Sequence, residues 1–164
     1  MDLIKLTGEG IKIKTKKGSF IVDSLSNPEK DVVMYTNSKV DSPLLETEPI
    51  ILSGEGEYEI ADVLIKAENI GDSVFFTITE ENQSMLLFPS SIAKQIKDTE
   101  NYDAVVIKVE NSLDESFFSP FSSITPIVFA DGEFLDQIQS KKKLPKVNLS
   151  KREEVEESII QLVK

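Results

Sequence analysis

Asp31-Val32-Val33-Met34-Tyr35-Thr36-Asn37-Ser38-Lys39-Val40-Asp41-Ser42 decides the fold, because an apolar run breaks abruptly into a polar segment. The run Asp31 to Tyr35 is short and uninterrupted, which predicts a strand buried on both faces. The polar residues from Thr36 to Ser42 predict a loop at its end. Upstream, Ile11, Ile13 and Thr15 alternate with Lys12, Lys14 and Lys16, the period-two signature of a strand with one polar face. Lys17-Gly18 then turns the chain into Ser19-Phe20-Ile21-Val22-Asp23, so 11–23 reads as a hairpin. Downstream, strand-like segments recur at 49–52, 57–67, 73–79 and 84–88, then from Ala104 to Val109 and from Ile127 to Phe129.

Helical signals are fewer. Pro89-Ser90-Ser91 precedes Ile92, Ala93 and Ile96, as in a serine-capped helix. Asp131-Gly132-Glu133 opens a second candidate, with Phe134, Leu135 and Ile138 on one face. Ser150-Lys151-Arg152-Glu153 fits an S-x-x-E capping box. For 155–163 two readings stay open, because Val155, Ile159 and Leu162 are helically spaced while 159–163 also suits a terminal strand. The Ser/Pro/Phe-rich segment 112–126 reads as a loop. With no internal repeat and no dividing linker, the expectation is a single domain over 1–164, of α/β class, built as a β-rich sandwich.

Composition removes much chemistry. The 164 residues include no Cys, no His and no Trp. Without Cys there are no disulfides, thiolate nucleophiles or Cys-based zinc sites. Without His the commonest metal ligand and the commonest general base near neutral pH are both missing. The formal charge is −11, from 18 basic and 29 acidic residues, and it is unevenly spread. Residues 1–18 and 140–164 each carry a net +3, whereas 19–139 carry −17. Such a centre repels a phosphate backbone, so nucleic-acid binding is not expected. The run Lys141-Lys142-Lys143 reads as a solvated helix end, with contact to an acidic partner as the alternative. No signal peptide and no apolar run of membrane-spanning length is visible, and a cytoplasmic protein is expected.

Several segments carry possible chemistry. Glu55, Glu57 and Glu59 alternate along a strand and could share one face toward a hard cation, although a solvated acidic face explains them as well. Ser91-Ile92-Ala93-Lys94 matches S-x-x-K, but its companion S-D-N and K-T-G motifs are absent and helix capping accounts for it. Gly8-Glu9-Gly10 and Gly54-Glu55-Gly56 lack the further residues of a phosphate cradle. Phe117, Phe118 and Phe121 crowd into five residues of a loop, which makes them candidates for a protein interface or for a lid over the sandwich core.

Ser53-Gly54-Glu55-Gly56-Glu57-Tyr58-Glu59-Ile60 with Val63-Leu64-Ile65, the segment 36–42, and Met85-Leu86-Leu87-Phe88-Pro89-Ser90 occur in an order that resembles the metallo-β-lactamase superfamily. The likeness is to its short lactonase-like branch, related to the ascorbate-phosphate lactonases, and runs over roughly residues 3 to 135. The resemblance implies a trimmed αββα fold. It also implies a motif H-x-H-x-D-H, whose clustered imidazoles and carboxylate hold one or two zinc ions. Asn37 stands at the first His of that motif, Lys39 at the second and Ser42 at the last, so only Asp41 survives. In the later strand Leu87 stands at a ligand His and Ser90 at the metal-bridging Asp, and the final ligand His is absent. An ammonium at position 39 would repel a metal ion, and Lys39 paired with Asp41 is the expected substitute for the metal charge.

These readings imply a pseudoenzyme with no metal and no cofactor, acting as an interaction or structural module. It is expected to self-associate or meet a protein partner, since a trimmed outer layer would leave apolar sheet to cover. Its vestigial site would comprise Asn37, Lys39, Asp41, Ser42 and Ser90. Two alternatives stand beside it: a hydrolase or lactonase-like enzyme with a relocated carboxylate and lysine site, and a small-ligand module using the ancestral cleft.

Overall fold

The computed structural model describes residues 1–8, 10–24, 32–40, 49–121, 123–130, 134, 141–151 and 159–164. Two sheets pack across an apolar core. The first holds β1 (Asp2–Lys5), β2 (Ile11–Lys14), β3 (Ser19–Val22), β4 (Val32–Met34), β5 (Ile51–Leu52) and β13 (Lys146–Asn148), in the order β13-β1-β2-β3-β4-β5. The second holds β6 (Gly56–Ile60), β7 (Val63–Ile70), β8 (Ser73–Glu80), β9 (Gln83–Pro89), β10 (Ala104–Lys108), β11 (Ile127–Phe129), β12 (Lys141–Leu144) and β14 (Ile159–Leu162). Its order is β12-β14-β11-β10-β9-β8-β7-β6.

Side-chain alternation explains the layers. Leu3, Ile11, Ile13, Phe20 and Met34 of the first sheet meet Ile65, Phe76, Ile78, Leu87, Val106 and Phe129 of the second in one buried cluster. Each such side chain stabilises the fold by about 1.5–3 kcal/mol relative to exposure. Leu86, Phe88, Val105, Ile107, Val128 and Ile159 point to the other face of the second sheet, where Ile92, Phe118 and Phe121 cover them. β9, β10 and β11 run parallel and are covered on both faces, which is why their sequences are continuous apolar runs. The hairpin over 11–23 forms as β2 and β3, and the apolar run before Thr36 forms β4, an interior strand between β3 and β5.

Several sequence expectations are corrected. Lys141-Lys142-Lys143 is not a helix end but most of β12, paired parallel to β14. Its strand conformation comes from that ladder and from Leu144 packing on the core. The terminal segment 159–162 is strand, resolving part of the open reading of 155–163. The serine-capped helix after Pro89 is a 3-10 segment, Ser90–Gln95, with Pro89 at its cap position and no side-chain cap. The segment 112–126 contains another 3-10 turn set, Glu115–Phe121. Phe118 and Phe121 are buried there and serve as core residues, so they are not available as exposed anchors; Phe117 is half-buried and stacks edge-on against Phe118 at 5.0 Å. Apart from Phe134, the helix expected from Asp131 lies outside the described residues, as do Arg152-Glu153 of the capping box and residues 155–158 of the open segment. Among the described residues no helix is long and apolar enough to cross a membrane.

Candidate functional site

The polar residues that close the sandwich gather where β3, β4 and β10 end. Asp23 follows β3 in the left-handed region (φ 49), a conformation Asp tolerates better than most residues. One carboxylate oxygen accepts the backbone N–H of Thr36 at 2.9 Å, and the other accepts the Thr36 hydroxyl at 2.6 Å. Lys108, the last residue of β10, brings its ammonium to 3.2 Å from that second oxygen and donates to Thr36 Oγ1 at 3.5 Å. The Asp23 side chain is 6% exposed and that of Lys108 is 17% exposed, so this ion pair is largely withdrawn from water. A buried pair of this kind is costly to break from one side, because the remaining charge is left uncompensated.

The chain beyond Thr36 is stitched to the turn between β7 and β8. The N–H of Val74 donates to the Thr36 carbonyl at 2.8 Å, Asn37 bridges to Ser73, and the N–H of Ser38 donates to the Asp72 carbonyl at 2.9 Å. Asn37 Oδ1 accepts the N–H of Lys39 at 2.9 Å, an Asx-type turn that fixes the loop locally. Lys39 pairs with Asp72 at 2.7 Å in an exposed position. The ammonium of Lys39 thus meets Asp72, while the expected Lys39–Asp41 pair falls on Asp41, which with Ser42 lies outside the described residues. Ser90 is buried, and its hydroxyl accepts the N–H of Glu110 at 3.1 Å. Leu87 is fully buried in the core between the sheets.

Asn37 and Lys39 follow β4 and Ser90 follows β9 in the other sheet, and each is engaged with backbone or with Asp72. Asp23, Thr36 and Lys108 were not singled out from the sequence. The available signal was Lys108 itself, the one charged residue inside the apolar run Ala104-Val105-Val106-Ile107-Lys108-Val109. A lysine in such a run needs an acid within reach, and the sequence does not say which.

A zinc centre of the kind the resemblance implies does not fit these residues. Zinc takes about four N, O or S ligands from thiolate, imidazole or carboxylate. The candidate positions offer an amide already accepting a hydrogen bond, an ammonium, a buried methyl-bearing side chain and a hydroxyl holding a backbone N–H. Among the described residues, no group of three or more Asp and Glu converges as a metal cluster. Glu55, Glu57 and Glu59 are exposed along β6 and its approach, an acidic face without such convergence.

Two clefts open elsewhere. One, of about 360 Å³, is polar and lies among Lys14, Lys16, Glu80, Glu81 and Gln83. The other, of about 350 Å³, lies among Lys94, Leu113, Asp114, Phe117, Pro120 and Phe121. The Asp114 carboxyl at its rim is held below the ordinary carboxylate range, chiefly by the Ser116 hydroxyl. Neither cleft is lined by Asn37 or Lys39, so neither is the ancestral cleft expected at 37–42.

No family model and no curated protein matches the sequence. Among solved structures the chain is similar to a crystal structure of a Thermotoga maritima protein assigned to the metallo-β-lactamase superfamily and named as a candidate Zn-dependent hydrolase. The match covers 99% of this chain and 100% of that one, with a TM-score of 0.59 and 14% identity. At that identity the likeness concerns architecture: this chain has a strand-rich, mixed α/β fold of two sheets, the metallo-β-lactamase fold.

Proposed function

We propose that this protein is a degenerate member of the lactonase-like branch, one that keeps the fold without zinc hydrolysis and works as a self-associating interaction module. The observation that carries this reading is the Asp23–Thr36–Lys108 cluster. A lysine ammonium supplies positive charge to a buried carboxylate beside the loop where relatives place their ligands. The loop itself is occupied by its own hydrogen bonds. A nucleophilic water needs a metal or a general base to activate it, and Asn37, Lys39 and Ser90 provide neither in these arrangements. The relocated-enzyme reading loses support too, because among the described residues the Glu55–Glu59 face does not converge with a metal-binding group.

Self-association would not come from broad apolar faces. Among the described residues only Val40, Ile50 and Leu64 are large exposed hydrophobics, and they are scattered. Any joint between copies would then use strand edges, which carry unpaired backbone groups.

Native mass spectrometry of protein purified without chelator tests both halves. The expected spectrum shows masses at multiples of the 18.3 kDa chain and no stoichiometric metal. Stoichiometric zinc accompanied by ester or lactone hydrolysis would overturn the non-hydrolytic reading, and a single-chain mass at every concentration would overturn self-association.

A further inference from the structure

We propose that copies of this chain join head to tail through their second sheets, the β12 edge of one copy pairing with the β6 edge of the next. This deepens the self-association reading and rests on it. β12 and β6 are the two terminal strands of one eight-stranded sheet, and among the described residues neither has a strand on its outer side. They are of similar length, four and five residues. Their charges are opposite: Lys142 and Lys143 are exposed on β12, while Glu57 and Glu59 are exposed on β6 with Glu55 just before it.

The register puts Glu57, Glu59 and Lys143 on the same face of the sheet. Tyr58 and Ile60 lie opposite Ile65 and Val63 on the core side, so Glu57 and Glu59, opposite Lys66 and Leu64, face outward. On β12, Lys142 and Leu144 lie opposite Ile160 and Leu162, again on the core side. Lys143, opposite Gln161, therefore faces outward. When one sheet continues into the next by simple repetition, outer face meets outer face. Lys143 then lies against Glu57 or Glu59, and Leu144 lies beside Tyr58 and Ile60 at the inner rim. Opposite charges across a strand pair are favourable and like charges are not.

The same arrangement dictates partner orientation. Two β12 edges would set lysine against lysine, and two β6 edges glutamate against glutamate. Charges on an edge strand guard it against pairing; here each edge is guarded against its own kind and open to the other. The joint is heterologous, so it closes into a ring or extends as a filament.

The test is a charge exchange in the full chain. Lys142→Glu/Lys143→Glu and Glu57→Lys/Glu59→Lys each change only exposed side chains. Each variant alone is expected to lose every species above one chain by native mass spectrometry or sedimentation. Mixing the two is expected to restore them, since each mixed joint again opposes lysine and glutamate, and recovery also shows that both variants are folded. Wild-type oligomers that persist in either variant overturn the edge joint while leaving self-association standing. Two single-chain variants that fail to recover on mixing overturn the edge joint as well. A wild type that is a single chain throughout overturns both readings.

Discussion

Lys39 and Lys108 each pair with an aspartate near the ends of the central strands, and the shorter pair is the weaker one. Lys39 lies 2.7 Å from Asp72, with the two side chains 72% and 59% exposed. Lys108 lies 3.2 Å from Asp23, at 17% and 6%. Distance therefore does not rank them. Water and dissolved ions screen the exposed pair, and holding two long side chains together costs entropy, so such pairs contribute about 0–1 kcal/mol. The buried pair has given up its water, and removing one member strands the other. The lesson concerns buried charge: a lysine compensates a carboxylate strongly only where the protein has already excluded solvent.

The largest effect expected is from Lys108→Ala. It leaves the Asp23 carboxylate buried without its cation and should lower unfolding free energy by about 3–5 kcal/mol, read from urea titrations. The double variant Lys108→Met/Asp23→Asn should lie closer to wild type than Lys108→Ala alone, because it removes the uncompensated charge. A single-variant loss below about 1 kcal/mol would erase the contrast with Lys39.

An intermediate case sharpens the comparison. Asp2 of β1 is partly buried, 2.7 Å from Lys146, and accepts a hydrogen bond from Asn148 of β13 at 2.5 Å. The Lys146 hydrogen bond chiefly holds its carboxyl below the ordinary carboxylate range, against the burial that raises it. A lowered value in the folded state means the stabilisation is complete above the unfolded carboxylate range and is lost as pH falls through the folded value. Asp2→Asn should therefore be less stable than wild type at neutral pH, with the difference shrinking on acidification. A difference that stays constant with pH would assign the loss to packing rather than charge.

The smallest effect expected is at Lys39. Lys39→Ala and Asp72→Ala should each cost within about 1 kcal/mol, with a double-mutant coupling that fades in molar salt. A salt-resistant coupling of several kcal/mol would place Lys39 in the same class as Lys108.

Much of the architecture was legible because the relevant signals are local. Alternation over 11–16 and the uninterrupted run before Thr36 each follow from which faces a strand buries. β12 was not legible, because three adjacent lysines carry no burial signal and their strand is set by β14. At the site, the candidates Asn37, Lys39 and Ser90 could be named in order along the chain because the segments that carry them are local. Lys108 could not be assigned, since its partner Asp23 is brought near only when β10 and β3 come together in space. Ser90 likewise looked like a helix cap; the structure uses its hydroxyl to hold Glu110, because Pro89 already ends β9 in an extended conformation.

The position of β14 has a consequence for the order of assembly. It follows β12 in the chain and is the last of the described strands, yet it sits between β11 and β12 rather than at the margin of the sheet. β12 precedes it in the chain but has no ladder partner other than β14 among the described residues. The sheet therefore cannot be built outward strand by strand as the chain is made. β12 must wait, unpaired, until the final strand docks alongside Pro126–Val128 and gives it an edge to join. Such long-range parallel pairing is entropically slow to nucleate, so the lysine-rich edge is the last part of the sheet to become available.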